Sequence, residues 1–183
     1  DRLIKAKLLA FTHSQEEVSA IYKDDNGDAA KYAAAATNFF NGDKKNSVTQ
    51  IKSLIKSNPT NPYYHELLGE VYYSQGNFTL AIKQQKITIE LMTNINDLHL
   101  MMLGSYLLAE PSKKNIIEGI NSLNKSLFIN KNNSYSWYLL AKAYALNNNL
   151  ALAQYASAER YYLRGDKPLA LSFAKKAIKN IDK

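Results

Sequence analysis

A small-residue pattern that returns at a fixed interval constrains this chain more than any single motif. Three residues after Gly69 stands Tyr72, seven after it Gly76, and twelve after it Ala81. A shift back of 34 residues puts Ala35 on Gly69, Gly42 on Gly76 and Ser47 on Ala81, and Pro59 closes that unit. In the forward direction Gly104 falls one residue late and is followed by Leu107. An inserted "AEPSKKN" then lengthens the turn, and Gly119 takes the second small position. Trp137, Leu140, Ala141 and Tyr144 open a fourth unit, with Asn148 at its turn and Ala153 beyond. Half a period further on, Ala158 falls on Ala141, Tyr161 on Tyr144, Gly165 on Asn148 and Ala170 on Ala153.

The physical reading is steric. Small residues let two helix backbones approach, and Gly or Asn at the turn accepts a positive φ. Repeated units of this size bury their apolar faces only against their neighbours. The spacing resembles the tetratricopeptide repeat. That resemblance implies an all-α fold, a right-handed superhelix of antiparallel helix pairs, with an array of about four repeats plus a terminal helix over residues 28–183. Residues 1–27 are expected to form a linker helix ahead of it. "RLIKAKLLAFTHSQEEVSAIYK" reads as one helix with Leu3, Ala6, Leu9 and Ala10 on a common face, stopped by the turn residues of "DDNGD".

The period also explains "HELLG". His65-Glu66-Leu67-Leu68 is followed by Gly69 where the second histidine of a His-Glu-x-x-His zinc helix would stand. His65 instead occupies a repeat position that takes a large residue packed between helices. His13 and His99 have no partners at ligand spacing. With no Cys in 183 residues, disulfides, thiolate zinc sites and a Cys nucleophile are excluded. No Gly-rich phosphate loop and no Gly-x-Ser-x-Gly elbow occurs. The chain is therefore read as having no catalytic constellation, and no metal or cofactor of its own.

The net charge of +7 comes mostly from lysines spread along the chain, with arginine only at Arg2, Arg160 and Arg164. Phosphate and base-edge readers favour the arginine fork, so the lysines read as solvated helix faces and no nucleic-acid partner is expected. No stretch approaches the roughly 18 apolar residues of a membrane helix, so no direct membrane span is expected.

Arrays of this kind line a concave surface from the first helix of each pair. The corresponding positions hold Tyr32 and Phe39, then Tyr63, Glu66, Glu70 and Tyr73, then Tyr135, Tyr138 and Lys142, then Tyr155, Glu159 and Tyr162. Tyrosine offers apolar area and a polar tip at small entropic cost. Two readings stay open: these rings pack inside the array, or they line a groove for extended polypeptide or an adjoining domain. Glu66 and Glu70, with Tyr32 and Ala36, stand where a carboxylate-clamping repeat would place Lys and Asn. Capture of an acidic chaperone tail is not expected.

Several segments resemble bacterial beta-barrel assembly-enhancing proteases (BepA-like). They are Arg2-Leu3, Ala6-Lys7-Leu8, Ala10-Phe11, Lys31-Tyr32-Ala33 (departing from that family's Arg), Asn61-Pro62-Tyr63 with His65 to Gly69, and Ala156-Ser157-Ala158-Glu159-Arg160. The resemblance implies the C-terminal repeat region of a periplasmic zinc metalloprotease. Its zinc would lie in a peptidase domain upstream of Asp1, to which the 1–27 helix would join. Its partners would be client polypeptide, outer-membrane assembly components or its own peptidase domain. No catalytic or metal-binding residue of that family carries over to this chain. The competing expectation is a stand-alone tetratricopeptide adaptor unconnected with proteolysis.

Overall fold

A computed structural model describes residues 2–181, and among them it contains eleven α-helices and no strand. The all-α expectation holds. The helices form two compact units, one ending at Met92 and the other beginning at Thr93.

The first unit holds α1 (Arg2–Thr12), α2 (Gln15–Ile21), α3 (Asp28–Phe40), α4 (Lys44–Ser57), α5 (Pro62–Ser74) and α6 (Phe78–Leu91). The pairs α3–α4 and α5–α6 are antiparallel hairpins whose tight crossings fall at the small residues of the period. Ser47 Oγ donates to the Ala35 carbonyl at 2.9 Å. Gly69 lies so near α6 that a Cβ there would meet Gln84 Cβ at 3.4 Å and the Ala81 carbonyl at 3.6 Å. Asn61 caps α5 through the Tyr63 amide, and Pro62 occupies its first turn, where a missing N–H costs little. Helix α5 then buries Tyr64, Leu67, Leu68 and Val71. Tyr64 lies 5.8 Å from the Tyr32 ring, and its hydroxyl donates to Asp28 at 2.9 Å.

The N-terminal segment departs from the single helix expected. It breaks at His13, because Ser14 starts a new helix with a full capping box: Ser14 Oγ accepts from the Glu17 amide, and Glu17 accepts from the Ser14 amide at 2.8 Å. Helix α1 packs alongside α3 and runs the same way. Arg2 reaches Asp25 ahead of α3, while Phe11 meets Phe40 at its end. Ala6 and Ala10 are buried in that contact.

The second unit holds α7 (Asp97–Ala109), α8 (Lys113–Ile129), α9 (Ser134–Leu146), α10 (Leu150–Leu163) and α11 (Lys167–Lys179). A Cβ on Gly104 would stand 2.6 Å from Leu123 Cγ, so α7 and α8 are as close as glycine allows. Leu108, Leu123 and Leu127 share a core with Leu139, Leu140 and Ala143 of α9 and with Ala156 of α10. Helix α10 packs against both α9 and α11, as the half-period shift implies.

Three hairpin turns close by one device. A left-handed residue ends the helix, and the next amide bonds back to the carbonyl five residues earlier. The residues are Gly76 (φ 76°), Asn148 (φ 57°) and Gly165 (φ 79°). The bonds are Asn77 N to Tyr72 O, Asn149 N to Tyr144 O and Asp166 N to Tyr161 O, each 2.9 Å. No helix among the described residues is long and apolar enough to cross a membrane.

Candidate interaction surfaces

In the first unit two of the residues expected to line an open groove, Glu66 and Glu70, face α1. Lys7 Nζ reaches Glu66 at 3.5 Å and Glu70 at 2.5 Å. Tyr32 is 1 % exposed and donates its hydroxyl to the Tyr63 carbonyl at 3.3 Å. Phe39 and Tyr63 are half-buried; Phe39 packs on Phe40, which meets Phe11 of α1 edge-on. Tyr73 packs against Phe78 at the start of α6. This face is filled from within the chain, and Tyr32 belongs to the core.

The electrostatics follow from that enclosure. Burial works against the Lys7 ammonium, but the carboxylates of Glu70 and Glu66 together outweigh it and hold its pKa above the ordinary value. Burial pushes the Glu70 carboxyl up, the Lys7 charge opposes this only in part, and the like charge of Glu66 adds to the rise. The two directions differ because the lysine sees two opposite charges, whereas Glu70 sees one opposite and one like charge.

His65 occupies the packing position that the period assigns to it. Its Nε2 lies 2.9 Å from the Pro59 carbonyl and its Nδ1 2.8 Å from the Gln84 side-chain amide, so both ring nitrogens are engaged by protein groups. His99 completes a capping box with Asn96 at the start of α7, a role not read from the sequence.

The second unit presents its rings outward. Tyr135 and Tyr138 are both exposed, their rings 5.7 Å apart, and the Arg160 guanidinium sits 4.5 Å above the Tyr138 ring. Lys142 is exposed one turn further along α9. On α10, Tyr155 meets Trp137 edge-on at 5.8 Å, and Tyr162 is 65 % exposed. Burial first, and then the nearby Glu159 carboxylate, hold the Tyr155 phenol above its ordinary pKa.

Tyr155, Glu159 and Tyr162 form one wall of a cavity of about 560 Å³ between α10 and α11, and Lys167, Leu171 and Ala174 form the other. It continues into a second cavity of about 330 Å³ lined by Leu152, Ala177, Ile178 and Ile181. Lys167 and Leu171 of the α11 wall were not among the residues singled out by sequence. Leu171, Ala174 and Ile178, spaced along one face of α11, were the available signal.

No family model matches the chain. The beta-barrel assembly-enhancing protease of Escherichia coli (strain K12) is 31 % identical over 131 residues, and that of Shigella flexneri matches equally. The match covers 72 % of this chain and 26 % of those proteins, so the chain spans about a quarter of the length of the curated relatives it matches. Among solved structures, MamA from Desulfovibrio magneticus RS-1 superimposes with a TM-score of 0.66 at 14 % identity, over 89 % of this chain and 94 % of that one. YrrB, described as a TPR protein with an unusual peptide-binding site, gives 0.61 at 14 % identity, over 90 % and 92 %. The chain has the tetratricopeptide-repeat fold. Yeast Tom70 extends the likeness to 96 % of this chain and 40 % of its own, with a TM-score of 0.67 at 19 % identity. Within this tetratricopeptide fold, the exposed tyrosines lie on the second unit, and of the first unit's equivalents Tyr32 is buried while Tyr63 and Tyr73 are half-buried.

Proposed function

We propose that this chain is the protein-interaction region of a periplasmic zinc metalloprotease of the beta-barrel assembly-enhancing kind, and that the α9 surface takes unfolded polypeptide. The observation that carries the reading is the exposed Tyr135–Tyr138 pair with Arg160 over one ring and Lys142 beside it. Such a surface offers flat apolar area to any side chain and donors to backbone carbonyls, without demanding one sequence. The 31 % identity to the E. coli protease supports the family part of the reading.

His65 and His99 do not fit the zinc of such an enzyme. His65 has both ring nitrogens engaged, and His99 Nδ1 faces the Asn96 amide. The metal would be held by a separate peptidase domain, and this chain would supply binding alone.

The test uses an unfolded outer-membrane barrel protein as the probe, diluted from urea onto the immobilised chain. The Tyr135→Ala/Tyr138→Ala double variant is expected to weaken capture roughly tenfold with unchanged helicity. Capture that survives the double variant intact would exclude α9 as the binding surface.

A further inference from the structure

The groove between α10 and α11 matches, position by position, a groove elsewhere in this unit that already holds a helix. In the α7–α8 hairpin, Met101 and Leu108 flank Gly104, while Leu123, Ser126 and Leu127 follow Gly119. Those five residues receive α9. Leu108, Leu123 and Leu127 share its core, Met101 packs against that core, and Ser126 Oγ meets Ser136 Oγ at 3.0 Å. The small residues of the α10–α11 hairpin are Ala158 and Ala170. Counted from them at the same spacings, the equivalents are Tyr155, Tyr162, Ala174, Ala177 and Ile178. All five line the cavities between α10 and α11. In the first unit, α5 lies on the α3–α4 hairpin in the same manner, with Tyr64 against Tyr32.

We infer that the α10–α11 groove seats an amphipathic helix of a second, acidic protein, in the place that α9 takes on α7–α8. The inference rests on reading the chain as an interaction module, and it assigns α10–α11 a folded ligand distinct from the unfolded one on α9. The differences between the two grooves define the ligand. Ala174 and Ala177 replace Leu123 and Ser126, so the floor is lower and has no hydroxyl to satisfy. Where α9 offers Ser136, Leu139, Leu140 and Ala143, the occupant carries large apolar residues at i, i+3, i+4 and i+7.

Charge fixes its flank. Asn124 of α8 donates to the Tyr144 hydroxyl of α9 at 3.4 Å, and Tyr144 lies eight residues after Ser136. The equivalent of Asn124 is Lys175, which is exposed, as are Lys167, Lys176 and Lys179 on the same helix, and these four ammonium groups outnumber the Glu159 carboxylate of the α10 wall. The occupant therefore bears a carboxylate at i+8. The same lysines disfavour a second copy. The exposed apolar stripe of α1 (Ile4, Leu8, Phe11) is accompanied by Arg2 and Lys5, and the chain carries a net charge of +7.

The probe is a fluorescently labelled synthetic helix with Leu at i, i+3, i+4 and i+7 and Glu at i+8, titrated against the intact chain by anisotropy. Saturable binding is expected, weakened at least tenfold by Ala174→Arg, which fills the floor. Lys175→Glu is expected to weaken it too, and to restore binding of a probe with Lys at i+8. Circular dichroism confirms that each variant is folded. Tyr135→Ala/Tyr138→Ala is expected to leave this binding unchanged, which separates it from polypeptide capture on α9. Absence of binding, binding indifferent to Ala174→Arg, or a dimer of the chain that Ala174→Arg dissociates would each overturn the inference.

Discussion

Lys7 Nζ lies 2.5 Å from Glu70 Oε1, a contact that ties α1 to α5 across 63 positions of chain. With Glu66 at 3.5 Å on the same ammonium, one lysine balances two carboxylates that have lost most of their water. Replacing it with Met keeps the stem's packing and leaves two like charges facing each other. Lys7→Met is expected to cost about 2–3 kcal/mol, less than breaking a fully buried pair, since each side chain stays partly wet. Glu70→Gln in the same chain should recover much of that loss. Urea melts of the two single variants and the double variant measure the coupling, and additive effects would show that the contact contributes little.

Two glycines at equivalent crossings should respond oppositely to alanine. At Gly104 the added Cβ would stand 2.6 Å from Leu123 Cγ, and Leu123 is fully buried. Gly104→Ala is therefore expected to destabilise by about 1–3 kcal/mol through overpacking. At Gly69 the nearest atom is 3.4 Å away, an ordinary contact. Gly69→Ala should be neutral or stabilising by up to about 1 kcal/mol, because alanine is the better helix former. Gly69→Leu would still overfill the crossing. Thermal melts of the three variants give the order directly.

The period carried the fold because its signal is local. Ala35 and Ser47, or Gly69 and Ala81, must recur at fixed spacing wherever helices cross closely, and the same logic gave His65 a packing role. The capping box at Ser14 and Glu17 was also written locally, yet the continuous apolar pattern on both sides of it reads as one helix. What the sequence does not carry is the return of α1 onto the first unit. Lys7 is one lysine among many, and nothing near it specifies carboxylates more than fifty residues away. Tyr32 and Tyr135 both sit at groove-lining positions of their repeats. Tyr32 is core because it packs on the Tyr64 ring and bonds to the Tyr63 carbonyl of α5, whereas Tyr135 stays exposed beside Tyr138.

Alkaline pH should weaken the first unit most, because burial raises the phenols of both Tyr32 and Tyr64 there, with a smaller loss from Tyr155 in the second. Burial, and then the hydrogen bond to Asp28, raise the Tyr64 phenol from its ordinary value near 10 to about 12. Between those values the unfolded chain has released the proton and the folded chain still holds it, so stability falls as pH rises through that window. Lys7 adds a loss of the same sign above 10.5, because its folded pKa is also raised. The drop from Tyr64 alone is of order 1–3 kcal/mol. Urea midpoints at pH 8 and pH 11.5 measure it, and Tyr64→Phe should reduce the dependence without abolishing it, because burial also holds the Tyr32 phenol well above its ordinary value. An equal decline in Tyr64→Phe would assign the effect to other groups.

Asn148 offers the sharpest check on the turn chemistry. Among the described residues it is the one non-glycine with positive φ, and Gly76 and Gly165 make the same closing bond at equivalent turns. Asparagine tolerates the left-handed region at a smaller penalty than other L-residues, and glycine enters it freely. Asn148→Gly should thus lie within about 0.5 kcal/mol of the parent, since the relief of strain is offset by the greater freedom of the unfolded chain. Asn148→Ala should lose about 1 kcal/mol and Asn148→Val more, because a β-branched side chain crowds the backbone most at positive φ. The order of urea midpoints expected is Gly and Asn together, then Ala, then Val. If valine matched asparagine, the helix would end some other way, and the likeness among the three turns would not arise from backbone strain.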